Sequence, residues 1–219
     1  MYDIRLLRGL KEPDLTSQQL MKAEQLAGFW KKGLGLLFIT LIVSAVTAYL
    51  GIGNELLSKE LNSLSSTGFE ATKSLFAAGQ VTWSIIAVIL TMTIPSLFFW
   101  TVSEIEWKKY IIVQYLVVTI LLIEKVILIP FAIFIGLPDI SNPFSLGMIG
   151  QYLTSNDIIL QFLAQLSIFK IWAVVLQYKY VKAFSEKSAS QTALIVIGFN
   201  FIIMMVSVFL TIMDLDKLL

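Results

Sequence analysis

Two side chains able to handle charge stand next to each other in an apolar setting: Glu124 and Lys125, inside the stretch LLIEKVILIPF from Leu121 to Phe131. A third, Lys170, lies in a separate apolar run. A charge at mid-bilayer costs at least about 2.5–3.5 kcal/mol, so each needs a partner, a route to water, or a role in moving ions or protons. Neighbouring helix positions diverge by about 100°, which makes Glu124 and Lys125 poor partners for each other. Lys170 suits Glu124 better. On consecutive antiparallel helices the two would differ in depth by about 9 Å, much of which the lysine's four-carbon stem can close. A competing reading breaks the helix near Glu124 and makes Val126 to Leu137 an interfacial or re-entrant piece interrupted at Pro130. A proton- or ion-coupled site at Glu124 is a third reading.

Three other polar or helix-breaking features lie within apolar runs. Pro95 removes one backbone donor, frees the carbonyl of Thr91 and is expected to bend its helix, as a kink or as a gating hinge. Asn200, Ser207 and Thr211 recur at helical spacing with Met204 near the same stripe, an arrangement expected to bond across helices at about 0.6–2 kcal/mol each. Around Lys170, Gln161 and Gln165 share one face of a continuous helix, with Ser167 and Lys170 nearly opposite.

The elements that must position these residues are membrane helices. Of 219 residues, 57% are hydrophobic and 14% charged, with mean hydropathy +0.82, far above what the surface of a water-soluble domain tolerates. The net charge of +1 offers no concentrated basic face for nucleic acid. The chain has no His and no Cys, which removes thiol nucleophiles, disulfides, imidazole catalysis and zinc sites built on those ligands. No enzyme, cofactor or metal site is expected.

At about 20 residues per crossing, five apolar runs have transmembrane length: 33–51, 81–102, 110–137, 158–177 and 192–213. The expected fold is therefore all-α and polytopic. Residues 1–32 form a cytoplasmic tail and 33–219 a five-span membrane domain. With the N-terminus inside, eleven Lys and Arg fall in inner segments and three (Lys59, Lys73, Lys217) in outer ones, and Pro138 to Asp157 holds none. That bias orients the chain N-inside, C-outside. In the tail, Thr16-Ser17-Gln18-Gln19 reads as a helix start, and Leu20, Ala23, Ala27 and Trp30 follow at helical spacing beside Lys22, Lys31 and Lys32. This predicts a juxtamembrane amphipathic helix lying on the headgroups, with docking of a cytosolic partner as the other reading. The longest connection, Ile52 to Gln80, carries Leu57, Leu61 and Leu64 at the spacing of a short helix.

The stretch Ile171 to Phe199, IWAVVLQYKYVKAFSEKSASQTALIVIGF, resembles the C-terminal portion of Yip-domain (Ypt-interacting) proteins, a five-span membrane family with a bacterial, YknW-like branch. The shared pattern is a Trp-bearing span, a short basic loop with small residues, an Ala-containing helix start and a final span. The chain lacks the Asp-Leu-Tyr-Gly-Pro run of the eukaryotic branch and has only a short tail, so binding of Rab-type GTPases is not carried over. The resemblance implies an accessory protein of a bacterial plasma membrane that assists or modulates a membrane partner such as an ABC exporter component, with a role in resistance to a toxic peptide. It assigns no site residue. The alternative is a small transporter or channel, alone or as a homodimer, lined by Glu124, Lys125, Lys170 and Asn200.

Overall fold

The computed structural model describes residues 2–53, 66–136 and 141–212, with the side chains of 66–71 and 212 left aside. The Leu57, Leu61 and Leu64 spacing lies outside the described residues. Apart from two two-residue strands, the regular structure is helical: β1 (Tyr2–Asp3), α1 (Leu6–Lys11), α2 (Pro13–Lys22), β2 (Leu26–Ala27), α3 (Phe29–Tyr49), α4 (Ser66–Val102), α5 (Trp107–Ile135), α6 (Gly147–Leu153), α7 (Asp157–Gln165), α8 (Ile168–Phe184) and α9 (Ala189–Ile212). Among the described residues, four stretches are long and apolar enough to cross a bilayer: Phe29–Tyr49, Thr72–Val102, Trp107–Ile135 and Ala189–Thr211. The chain is an all-α protein of polytopic membrane type.

The fourth apolar run is not one helix. It divides at Leu166 and Ser167 into α7 and α8, so α8 has 17 residues, or about 25 Å at 1.5 Å per residue, and falls at the short limit for a crossing. Gln161 and Gln165 still share a face of α7, but the opposition of that face to Ser167 and Lys170, which requires a continuous helix, does not exist. Pro130 and Pro95, by contrast, end nothing. α5 runs through Glu124, Lys125 and Pro130 to Ile135 and stops at Gly136, whose left-handed backbone (φ 67°) returns its N–H to Ala132 O. The reading in which the helix breaks near Glu124 is thereby replaced by a helix that is continuous to Ile135. α4 likewise passes through Pro95, which is buried, as is Ser96 beside it. A proline costs one backbone bond, and the rest of a long helical ladder survives it.

The core is organised around the first half of α5. From Lys109 to Val118 every residue of this helix is buried, packed by α3, α4, α8 and the N-terminal helix α1. α3 approaches so closely that a Cβ on Gly33 would fall 2.5 Å from the Tyr115 hydroxyl. An aromatic cluster closes the same end of the bundle: Phe98 stacks on Phe199 at 4.3 Å, and Tyr110 meets Phe184 edge to face at 5.3 Å.

The N-terminal segment differs from a helix lying on headgroups. α2 starts at Pro13, a residue suited to the first helical turn, and Thr16 sits inside it, donating back to Glu12 O at 2.7 Å. The helix ends at Lys22. The chain then runs extended, with Leu26–Ala27 pairing in parallel with Tyr2–Asp3, and Trp30 belongs to α3. Leu20 is 0% exposed and faces protein. The Thr16 and Tyr180 hydroxyls lie 2.6 Å apart, Lys179 pairs with Asp14 at 2.7 Å, and Lys109, 8% exposed, donates to Met21 O at 2.8 Å. α1 and α2 thus form a cap bound to α5 and α8, because the apolar face that could enter lipid finds a protein groove instead. Truncating Leu20 to Ala should cost about 2–5 kcal/mol and Tyr180→Phe about 1 kcal/mol. Both should speed tryptic cleavage after the exposed Lys22, Leu20→Ala the more. Unchanged cleavage in Leu20→Ala would show that the cap is not held by this contact.

Candidate functional site

Polar groups within the bundle gather at two levels. The first lies in the half nearer the N-terminal cap, where Asn200 on α9 donates to Gln177 Oε1 at 2.7 Å and Gln177 on α8 donates to Gln114 Oε1 on α5 at 2.9 Å. Asn200 also reaches Val196 O at 2.9 Å. Gln114 is 0% exposed and Gln177 3%, so this is an amide chain linking three helices in an apolar interior. Every donation runs from α9 towards α5, which leaves Gln114 Nε2 buried with no partner at the end of the chain. The buried stripe of α9 is Thr192, Val196, Phe199, Met204 and Val208, with Asn200 half-buried at its edge. Ser207 and Thr211 are exposed, and Thr211 bonds back to Ser207 O, so neither reaches another helix.

The second level lies towards the opposite end. Glu124 stands 17 residues beyond Trp107 on α5, about 25 Å along the axis, and Lys170 stands 14 residues before Phe184 on α8, about 21 Å. The two are closer in depth than a span ending at Gln177 would put them, because α8 continues seven residues past it. Their charges interact, but they form no ion pair; among the described residues the ion pairs all involve the N-terminal cap. Glu124 Oε1 instead accepts from Asn142 Nδ2 at 3.2 Å.

Asn142 belongs to an irregular segment, Ser141 to Leu146, packed beside the break between α7 and α8. There the backbone pairs in a strand-like way: Leu146 N–H donates to Leu166 O at 3.0 Å and Ile168 N–H to Phe144 O at 3.0 Å. Ser167 Oγ accepts from Lys170 N at 3.1 Å and so caps α8. Phe131, Phe144 and Phe169 cover this junction edge to face. Lys170 therefore occupies the first turn of α8, where the partial positive charge of the free N–H groups is unfavourable to an ammonium. Glu124 offsets both. Lys125 lines two cavities bounded by α3 and α4, the smaller of which Asn142 and Pro143 also border.

Gln114 and Gln177 were not singled out in the sequence. Each is a long amide in an apolar run, the signal that marks Asn200, but by hydropathy Gln177 stands at the end of its run, whereas α8 continues to Phe184. Compared with known protein families, with characterised proteins and with solved structures, the chain matches none of them.

Replacing Gln177 with Leu breaks both links of the amide chain and should cost about 1–3 kcal/mol for the stranded partners. Thr211→Ala should stay within about 0.5 kcal/mol. Thermal unfolding in detergent ranks the two, and a reversed order would remove the amide chain as a packing element. Glu124→Gln leaves Lys170 facing the α8 terminus alone, so adding Lys170→Gln should raise the melting temperature above that of the single variant. Strictly additive losses would mean that the two charges do not act on each other.

Proposed function

We propose that this chain is a non-enzymatic accessory protein of a bacterial plasma membrane, five-span with its N-terminus inside, that works by lateral helix contact with another membrane protein. An ABC exporter component is the partner that the resemblance of Ile171 to Phe199 to Yip-domain proteins suggests, with protection against a toxic peptide as the physiological setting. The fifth crossing in this reading is α8 prolonged by α7.

The observation behind it is how the interior polar groups are engaged. Asn200, Gln177 and Gln114 bond to one another, and Glu124 to Asn142, which supports a role in holding the bundle together over one in lining a path. Meanwhile α9 turns Leu194, Ile197, Phe201 and Phe209 outward, each more than half exposed, as a surface for lipid or for a neighbouring helix. The orientation is supported by Lys109, Lys179 and Lys182, which lie at the same end of the bundle as Arg5, Arg8 and Lys22.

A photo-crosslinking residue placed in living cells at Ile197, Phe201 or Phe209 should give an adduct with one membrane protein, recurring at positions on a single face. Adducts with lipid alone at every position would end the accessory reading. A second reading, conduction past Glu124 and Lys170, is favoured by the helix break beside a charged pair, a feature of transporter sites. It requires solute or ion flux in proteoliposomes that Glu124→Gln abolishes.

A further inference from the structure

We propose that the cavity between the starts of α3 and α5 binds the headgroup of one phosphatidylethanolamine molecule, with the ammonium at Glu24 and Glu106 and the phosphate at Lys108. The cavity, of about 280 Å³, is lined by these three residues together with Phe29, Trp30 and Trp107. Two of the stretches able to cross a bilayer begin at Phe29 and at Trp107, so the cavity lies at headgroup depth, where the tryptophans of membrane proteins gather. A lipid headgroup stands level with it.

The aromatic wall is fixed by the core. Phe29 packs against Tyr115, itself 3% exposed, with ring centres 5.6 Å apart, and meets Trp30 edge to face at 5.4 Å. Trp30 and Trp107 nevertheless remain 75% and 40% exposed. Indole rings carry negative faces that attract an organic cation, more strongly than any other side-chain ring.

The charged rim is uncommitted. Glu24 lies in the connection between α2 and β2, and Glu106 immediately precedes α5, where its side chain makes no capping bond. Among the described residues, no ion pair or side-chain hydrogen bond engages Glu24, Glu106 or Lys108, and all three are exposed. Two carboxylates and one ammonium beside an aromatic wall complement a zwitterion whose cationic end donates hydrogen bonds. A primary ammonium has three N–H donors, enough for both carboxylates. A quaternary ammonium has none, and an anionic headgroup without an amine sets its phosphate against both acids. Phosphoethanolamine is the headgroup that uses all three charges.

The proposal is independent of the partner reading and is tested on the full chain in detergent by native mass spectrometry, with phosphatidylethanolamine, phosphatidylcholine and phosphatidylglycerol of identical acyl chains as competing probes. Phosphatidylethanolamine should be retained at least about tenfold over each of the others, which corresponds to about 1.4 kcal/mol. Glu24→Gln combined with Glu106→Gln, at exposed positions that do not threaten folding, should abolish the preference over phosphatidylcholine, whereas Glu186→Gln, an exposed acid outside the cavity, should keep it. Lys108→Gln should weaken phosphatidylethanolamine and phosphatidylcholine alike, because both carry the phosphate, and so leave their ratio unchanged. Equal retention of the three lipids, or a loss in Glu186→Gln as large as in the double variant, would overturn the proposal. Displacement of the lipid by an equal concentration of soluble glycerophosphoethanolamine would overturn the membrane as the source of the ligand.

Discussion

The enclosure of α5 between Lys109 and Val118 is the constraint on which the rest of the structure depends. A membrane helix normally keeps one side against lipid, but here ten consecutive residues face protein in every direction. Neighbours must therefore come from all sides, including from outside the bilayer core, which is where α1 and α2 enter. Gly9 of α1 lies so near Leu116 that a Cβ there would come within 2.9 Å of its Cδ2. An amide at position 114 cannot reach water from such a place, so it must be paired within the bundle. Gln177 and Asn200 supply that pairing, and in doing so they fix the rotation of α8 and α9 about their own axes.

The opposite half of the bundle obeys a different requirement. Backbone left unpaired in a bilayer is costly, and non-helical chain survives there only when it is covered by protein or lines a cavity. The break at Leu166 and Ser167 meets that condition through two backbone bonds to the segment around Phe144 and through the Ser167 cap. Glu124 and Asn142 sit beside this junction, so the intramembrane acid borders the one place where two described helices of a single run part company. Charge and irregular backbone stabilise each other: the carboxylate offsets the ammonium of Lys170 and the exposed N–H groups at the start of α8.

How much of this was legible in the sequence depends on which medium a side chain meets. Hydropathy locates the long helices, because lipid demands an apolar run whatever the fold. It cannot tell which face is buried, since lipid and core reward the same residues. Thr192, Val196 and Val208 are inside while Leu194, Ile197 and Phe209 are outside, and no difference in residue type separates them. The stripe of Asn200, Ser207 and Thr211 looked plausible for the same reason. Likewise an amphipathic segment such as Pro13 to Lys22 has the same pattern whether its apolar side enters headgroups or a protein groove. The split of the fourth run depends on pairing with residues some twenty positions earlier, which no local pattern encodes. What did carry through was angular: residues 124 and 125 diverge on a helix, and their surroundings differ accordingly.

That divergence joins the two halves of the bundle. Because α5 is held over ten residues at its start, its rotation further along is set, and Glu124 is delivered to α8 and the Asn142 segment while Lys125 is delivered to α3 and α4. A rotation of α5 by one residue, about 100°, in the sense that brings Lys125 to the direction of Glu124 would put the ammonium against the positive start of α8, a repulsive arrangement. The amide chain at Gln114 opposes such a rotation far from where its consequence is felt. An adjacent acid and base in an apolar helix is thus not a self-neutralising pair. It is a means of presenting opposite charges to two different neighbours, and it works only because the first half of the same helix is locked.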